Sequence, residues 1–197
     1  MDPPQTAPQP ASQPTTEAPP QYRLEDTVVA AIQTIDSSVP YDNTFKELNV
    51  VHPRVSKLLS RDRIPQHTDE WHARRKLLIT ATNVASILGQ NPYETSDRLF
   101  KKKTGQIPPE KSNPACQFGT RYESEAAAVY QAVTGNELVE EDIGLVVHPT
   151  LLDFGASPDR VCKFYPILIE IKVPFRRQIH EHQIPPYYIP QVQMQVS

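Results

Sequence analysis

The chain has 197 residues, with 20 Lys and Arg against 23 Asp and Glu, so its net charge of −3 makes no bulk case for a polyanionic partner. That length holds one ordinary α/β domain plus a tail, not two full domains. Two cysteines, Cys116 and Cys162, exclude a disulfide framework or a four-thiolate cluster, and no apolar run nears the ~20 residues that span a bilayer.

Residues 1–20 contain seven prolines among Gln, Thr, Ser and Ala and read as a disordered leader, too poor in apolar surface to offset the entropy of ordering. With no basic and apolar signal regions near the start, a soluble, intracellular protein is expected. Residues 21–65 read as a partly helical N-terminal extension without chemistry, with a short helix over Leu24–Ile35 and an ambiguous stretch from Val39 to Arg54. One folded domain, cut short at its C-terminus, is expected over residues 66–197.

Asp69 to Leu78 reads as a helix, with Trp71, Arg75 and Leu78 at i, i+4 and i+7. Thr82 is the expected N-cap of a helix that runs through Val84, Ile87 and Leu88 and stops at Gly89. After the turn at Asn91-Pro92-Tyr93, Ser96 is the expected cap of a helix to Lys103. Phe118 to Thr134 is alanine-rich and closed by Gly135, so a long helix is expected there, with Glu123 in its opening turns. Ile143–His148, Phe154–Phe164 and Ile167–Val173 are β-type runs, and a helix begins again at Pro190.

Charge is unevenly spread. Residues 1–53 carry −5, residues 54–103 carry +6 and residues 104–197 carry −4, which suits a basic part that grips a polyanion and an acidic part that holds cations. The acidic part contains the informative segment, Ile167-Leu168-Ile169-Glu170-Ile171-Lys172-Val173. In a strand, Leu168, Glu170 and Lys172 share one face and Ile169, Ile171 and Val173 the other. Burying Glu170 beside Lys172 costs several kcal/mol unless both are compensated, and an edge strand with a plain ion pair is the bland alternative.

Asp159 lies eleven residues earlier. A hairpin turning near Phe164-Tyr165-Pro166 brings it to Glu170. Two carboxylates held together repel unless a hard cation such as Mg²⁺ or Mn²⁺ lies between them. Glu123 shares a helical face with Ala126, Ala127 and Tyr130, which is the inward face, whereas Glu125 points outward. His148, His180 and His182 lack the spacing of a zinc set, and Lys101-Lys102-Lys103 reads as a solvated face able to track phosphates.

Trp71-His72-Ala73-Arg74-Arg75, Ile79-Thr80-Ala81-Thr82, Gly119 to Glu123, Ser157-Pro158-Asp159, Glu170-Ile171-Lys172-Val173-Pro174 and Gln191-Val192-Gln193 follow one another in that order. Together they resemble the YqaJ-type viral recombinase nucleases, relatives of the phage lambda exonuclease that carry the Pro-Asp…(Asp/Glu)-x-Lys constellation. The resemblance implies an α/β (α+β) fold with a restriction-endonuclease-like core and a metal-dependent 5′-to-3′ exonuclease acting on double-stranded DNA ends. It also implies a single-strand annealing protein as partner and a homotrimer. Carried onto this chain, it makes Glu123, Asp159, Glu170 and the carbonyl of Ile171 ligands of one or two Mg²⁺ or Mn²⁺ ions, with Lys172 activating the water. It makes Arg75 and Thr82, supported by Thr80, the holders of the DNA-end phosphate, and gives Gln191 and Gln193 a supporting role.

The chain departs from the family pattern at Arg160, where glycine usually follows the aspartate, and at Thr82, where serine is usual. A non-catalytic DNA-end-binding domain and a structure-specific endonuclease on the same core stay open as alternatives.

Overall fold

A computed structural model describes residues 42–108, 112–179 and 183–197. The expected leader, the helix over Leu24–Ile35 and the His180–His182 pair lie outside the described residues. Thr44–Glu47 (α1) and Pro53–Leu59 (α2) are followed by Asp69–Leu77 (α3), strand β1 (Ile79–Thr80), Ala81–Ile87 (α4), Ser96–Lys103 (α5) and Pro114–Thr134 (α6). Strands β2 (Val146–Val147), β3 (Phe154–Ala156), β4 (Arg160–Val161) and β5 (Leu168–Ile169) come next, then a 3-10 turn at Pro186–Tyr188 and helix α7 at Ile189–Val196. The fold is mixed helix and sheet.

The strands are shorter than the β-type runs. β1 pairs in parallel with β3, and β2 pairs antiparallel with β3, giving the order β1-β3-β2. Gly155 lies at the middle of that sheet, where a Cβ would come within 3.0 Å of Leu78 Cδ1 and 3.2 Å of the Val146 carbonyl. Only a residue without a side chain lets β1 and β2 close on β3 there. β4 and β5 form the expected antiparallel hairpin, with Arg160 opposite Ile169 and Val161 opposite Leu168, turning at residues 163–166.

Three helix starts differ from expectation. Thr80, not Thr82, is the N-cap of α4. The backbone N–H of Thr80 donates to Asn83 Oδ1 at 3.1 Å, a capping box built on an amide where glutamate or glutamine is usual. Thr95, not Ser96, caps α5, its hydroxyl accepting from the Arg98 N–H. Helix α6 opens four residues before Phe118, at Pro114 behind the Asn113 cap, because proline at the first position has no N–H to leave unsatisfied. Glu123 is therefore mid-helix, and stabilisation of its charge by the helix dipole does not apply. The far end is as expected, with Gly135 closing α6 at φ +67°.

Two apolar clusters lie in the core among the described residues. One joins Ala126, Ala127 and Tyr130 of α6 to Leu138, Cys162, Phe164 and Tyr165, with Ile167, Ile169, Ile171 and Val173 packed on it. The odd-numbered face of the Ile167–Val173 segment is thus the core face, as the alternation predicts. The second cluster joins Val139, Ile143, Val146 and Val161 to Val55 of α2, with Val51, Leu58 and Leu59 alongside. Residues 42–65 are consequently part of the packed body.

Candidate active site

The β4–β5 hairpin and helix α7 position the acidic centre. β5 ends at Ile169, and the next three residues leave the ladder. The Ile171 N–H, freed from strand pairing, donates to Asp159 Oδ2 at 2.6 Å, which ties the aspartate directly to the Glu170–Lys172 segment. Asp159 is fixed from its other side as well. Trp71 Nε1 donates to Ser157 Oγ at 3.0 Å, and Gln66 Nε2 to the Pro158 carbonyl at 3.2 Å.

Glu170 is well enclosed, its side chain only 8% exposed. Three donors compensate it. Lys172 Nζ and Gln191 Nε2 both reach Oε1, and Gln195 Nε2 reaches Oε2 at 2.6 Å. The Arg75 guanidinium adds a longer-range positive field, while burial pulls Arg75 itself below its ordinary range. Asp159 is pushed up to about 7, first by burial and then by the charges of Glu170 and Glu123, against the opposing pull of Lys172 and the Ile171 N–H. The Asp159 carboxyl therefore resists ionisation beside Glu170 in the absence of a cation.

Glu123 lies on the inward side of α6 but turns to Arg160, whose Nη1 donates to its Oε1 at 3.2 Å and to the Asp159 carbonyl at 2.6 Å. Its charge is felt at Asp159, yet its oxygen is engaged by a cation of the chain itself. Among the described residues no three His, Cys, Asp or Glu side chains gather into a ready ligand group. The donor chemistry nevertheless fits a hard divalent ion. Carboxylates are the preferred ligands of Mg²⁺ and Mn²⁺, Asp159 is held at a pKa that a cation would relieve, and Gln195 Oε1 beside Glu170 is buried without a hydrogen-bond partner.

A second set of polar groups surrounds Arg75. Its guanidinium lies 4.3 Å from the centre of the Trp71 ring and donates to Thr82 Oγ1 at 3.1 Å. Thr80 Oγ1 donates to Asn83 Oδ1 at 2.8 Å, so Thr82 is the donor in the 3.0 Å contact between the two hydroxyls. Arg75, Thr82, Thr80 and Asn83 thus form a directed chain of hydrogen bonds, with Thr80 fully buried at its centre. Arg75 is held by a ring and a hydroxyl rather than by Asp69 or Glu70.

Of the two glutamines singled out, Gln191 is buried on Glu170, whereas Gln193 is exposed and faces the side of α7 toward Val84 and Leu88. Gln195 takes the second position instead. The i, i+4 spacing from Gln191 was the signal for it, since those two side chains share a helix face and Gln193 does not. Lys101, Lys102 and Lys103 are not a free basic face either. They reach Asp97, Glu94, and the Arg75 and Leu78 carbonyls respectively.

Residues 70–197 match the family described as YqaJ-like viral recombinase domain, which covers well over half of the chain and the carboxylates, Lys172, Arg75 and glutamines of the site. The chain belongs to that family. A YqaJ protein of Bacillus subtilis is 30% identical over 129 residues, which are 64% of this chain and 40% of that protein. A protein of African swine fever virus is 27% identical over 163 residues, 68% of this chain and 46% of its own length. The chain thus spans less than half of either curated relative. An alkaline exonuclease from Laribacter hongkongensis, solved by crystallography, is similar at 32% identity with a TM-score of 0.48, over 65% of this chain and 66% of that one. No helix among the described residues of the YqaJ-like chain is long and apolar enough to cross a membrane.

Proposed function

We propose that this YqaJ-like domain is a divalent-metal-dependent DNA nuclease on a restriction-endonuclease-like core, hydrolysing phosphodiesters from duplex ends with 5′-to-3′ polarity. The observation that carries the reading is the meeting of Asp159, Glu170 and the Lys172 ammonium at the open end of the β4–β5 hairpin. An isolated ion pair does not require this arrangement, because it confines a second carboxylate at unfavourable charge beside the first.

Asp159, Glu170, the Ile171 carbonyl and, once released by Arg160, Glu123 would hold one or two Mg²⁺ or Mn²⁺ ions. Bound there, the metal supplies Lewis-acid charge at the scissile phosphate. Lys172 Nζ, held between Glu170 and the face of Tyr188, orients the attacking water and offsets phosphate charge. Gln191 and Gln195 fix the Glu170 carboxylate in one orientation. Arg75 offers its remaining N–H groups as a fork to a terminal phosphate, with the Thr82 hydroxyl beside it and Thr80 holding Thr82 in place. A phosphate held there sets which strand end enters, and a single-strand annealing protein and a homotrimer complete the proposal at the level of the assembly.

The test compares linear duplex and covalently closed circular DNA, with Mg²⁺, on the 197-residue chain. Loss of the linear substrate alone is expected, faster with a 5′-phosphate than with a 5′-hydroxyl. Lys172→Ala should slow it roughly 10²- to 10⁴-fold, the range for loss of a positioned proton-transfer group, when assayed below its own melting temperature. Equal rates for Lys172→Ala and the parent chain overturn the reading. Cutting of the closed circle points to a structure-specific endonuclease, and DNA binding without cleavage points to an end-binding module.

A further inference from the structure

Beside this centre is an aromatic cluster of which only Tyr188 entered the chemistry above, as the ring that Lys172 faces. Tyr93, on the turn after α4, is 76% exposed, a large ring left in solvent. Its backbone is not loose, because its N–H donates to Asn91 Oδ1 at 2.9 Å within the turn. The ring meets Tyr187 edge to face, with centroids 5.7 Å apart at 90°. Tyr187 in turn lies 4.4 Å from Tyr188 at 61°. These last two rings sit on the 3-10 turn Pro186–Tyr188, closed by the Tyr188 N–H on the Pro185 carbonyl at 2.9 Å. Tyrosines from two distant parts of the sequence therefore form one cluster on backbone that is fixed at both places.

Positive charge lies against the same cluster. Lys172 Nζ and the Arg177 guanidinium each sit 5.5 Å from the centre of the Tyr188 ring. Tyr188 leads directly into α7, whose Gln191 and Gln195 hold Glu170, so rings and carboxylates are mounted on one element. Aromatic faces beside cations match a strand of unpaired nucleobases and its phosphates. They match a base-paired end less well, since paired and stacked bases present only edges and one terminal face.

We propose that Tyr93, Tyr187 and Tyr188 form a sequence-indifferent stacking platform for the unpaired bases of a single-stranded DNA end, with Arg177 on the phosphate, at the mouth of the Asp159–Glu170–Lys172 site. This deepens the nuclease reading by naming the state of the DNA held next to the carboxylates, and it rests on that reading. The platform favours an end whose terminal bases are unpaired and stabilises them one by one as the strand advances.

The experiment separates binding from cleavage. In EDTA, the 197-residue chain is titrated into fluorescein-labelled duplexes with a three-nucleotide single-stranded end or a blunt end, and a parallel set carries 2-aminopurine as an unpaired base. Tyr93→Ala and Tyr187→Ala should each weaken binding of the overhanging duplex about five- to tenfold, the scale of one lost base–aromatic stack. They should also relieve quenching of 2-aminopurine, leave blunt-end affinity within about twofold, and keep the parent melting temperature. Tyr93→Phe should bind like the parent. The platform is ruled out if the alanine variants bind and quench as the parent does, if blunt and overhanging ends lose affinity equally, if Tyr93→Phe behaves as Tyr93→Ala, or if the parent does not bind the overhang. Failure of the nuclease reading shows separately, as absent cleavage with Mg²⁺ while the EDTA differences persist.

Discussion

Arg160 stands where the family pattern has glycine, and its guanidinium bridges Glu123 and the Asp159 carbonyl. Read along the sequence, the position gave only a mismatch with the family. Its consequence comes from the approach of β4 to α6, which residue spacing does not encode. Asp159, Glu170 and Lys172 were legible, because a charged pair inside a β-type run and an aspartate one hairpin earlier are local features. The partner of Glu123 was not. The Arg160–Glu123 pair is about a quarter to a third exposed on each side, so by itself it stabilises the fold by at most about 1 kcal/mol. Its effect should lie instead in competition, since a metal that uses Glu123 must displace the arginine. Arg160→Ala is expected to lower the Mn²⁺ concentration needed for half-maximal thermal stabilisation by a few-fold, roughly 3- to 10-fold for a released pair of this kind. If Arg160→Ala binds Mn²⁺ more weakly than the parent, the arginine serves to hold the Asp159 backbone and does not compete.

The elements were legible in type more than in extent. Helices α3 to α7 fall where periodicity puts them, with α4, α5 and α6 opening earlier than their expected starts, and the hairpin turns where Phe164-Tyr165-Pro166 put it. The strands shrank to two or three residues because the chain leaves the ladder to make other bonds, such as the Ile171 N–H to Asp159. Helix α5 shows a further contact that composition hides. Lys103 Nζ donates to the Arg75 and Leu78 carbonyls at 2.5 and 2.6 Å, satisfying carbonyls at the end of α3 that have no partner within that helix. Burial, with help from the Arg75 charge, lowers its pKa from 10.5 to about 8. A folded-state pKa below the unfolded one means that the unfolded chain binds more protons between those two values, so stability gains with rising pH there. The parent should therefore gain stability relative to Lys103→Met as pH rises from 8 to 10, measured by urea unfolding. A constant difference across that window would show that the ammonium is not strained in the folded state. At pH 7 Lys103→Met should still be destabilised, by about 1–3 kcal/mol, because two α3 carbonyls lose their donor.

At the scale of the whole molecule, the segment before the family match is part of the architecture. Nothing in residues 42–65 carries chemistry, and their polar, proline-broken sequence reads as an extension, yet they cover the second core cluster. Val55 is 3% exposed against Val139, Ile143, Val146 and Val161, with Leu58 and Leu59 beside it. Polar bonds fasten the same segment at several places. The Tyr165 hydroxyl donates to Asn43 Oδ1 at 2.6 Å, the His52 N–H to the Lys163 carbonyl at 3.0 Å, and Ile64 bridges Leu145. Two of these partners, Lys163 and Tyr165, lie on the turn of the hairpin whose open end presents Asp159 and Glu170. Removing the segment therefore exposes apolar surface and frees the hairpin turn at once. A chain starting at residue 66 should aggregate or melt without a cooperative transition, whereas the full chain should melt cooperatively. Val55→Ala in the full chain isolates the packing component and should cost about 1–3 kcal/mol in chemical denaturation, the range for a truncated buried aliphatic side chain. A chain from residue 66 that melts cooperatively near the parent temperature would show that α1 and α2 only rest on a core that is complete without them.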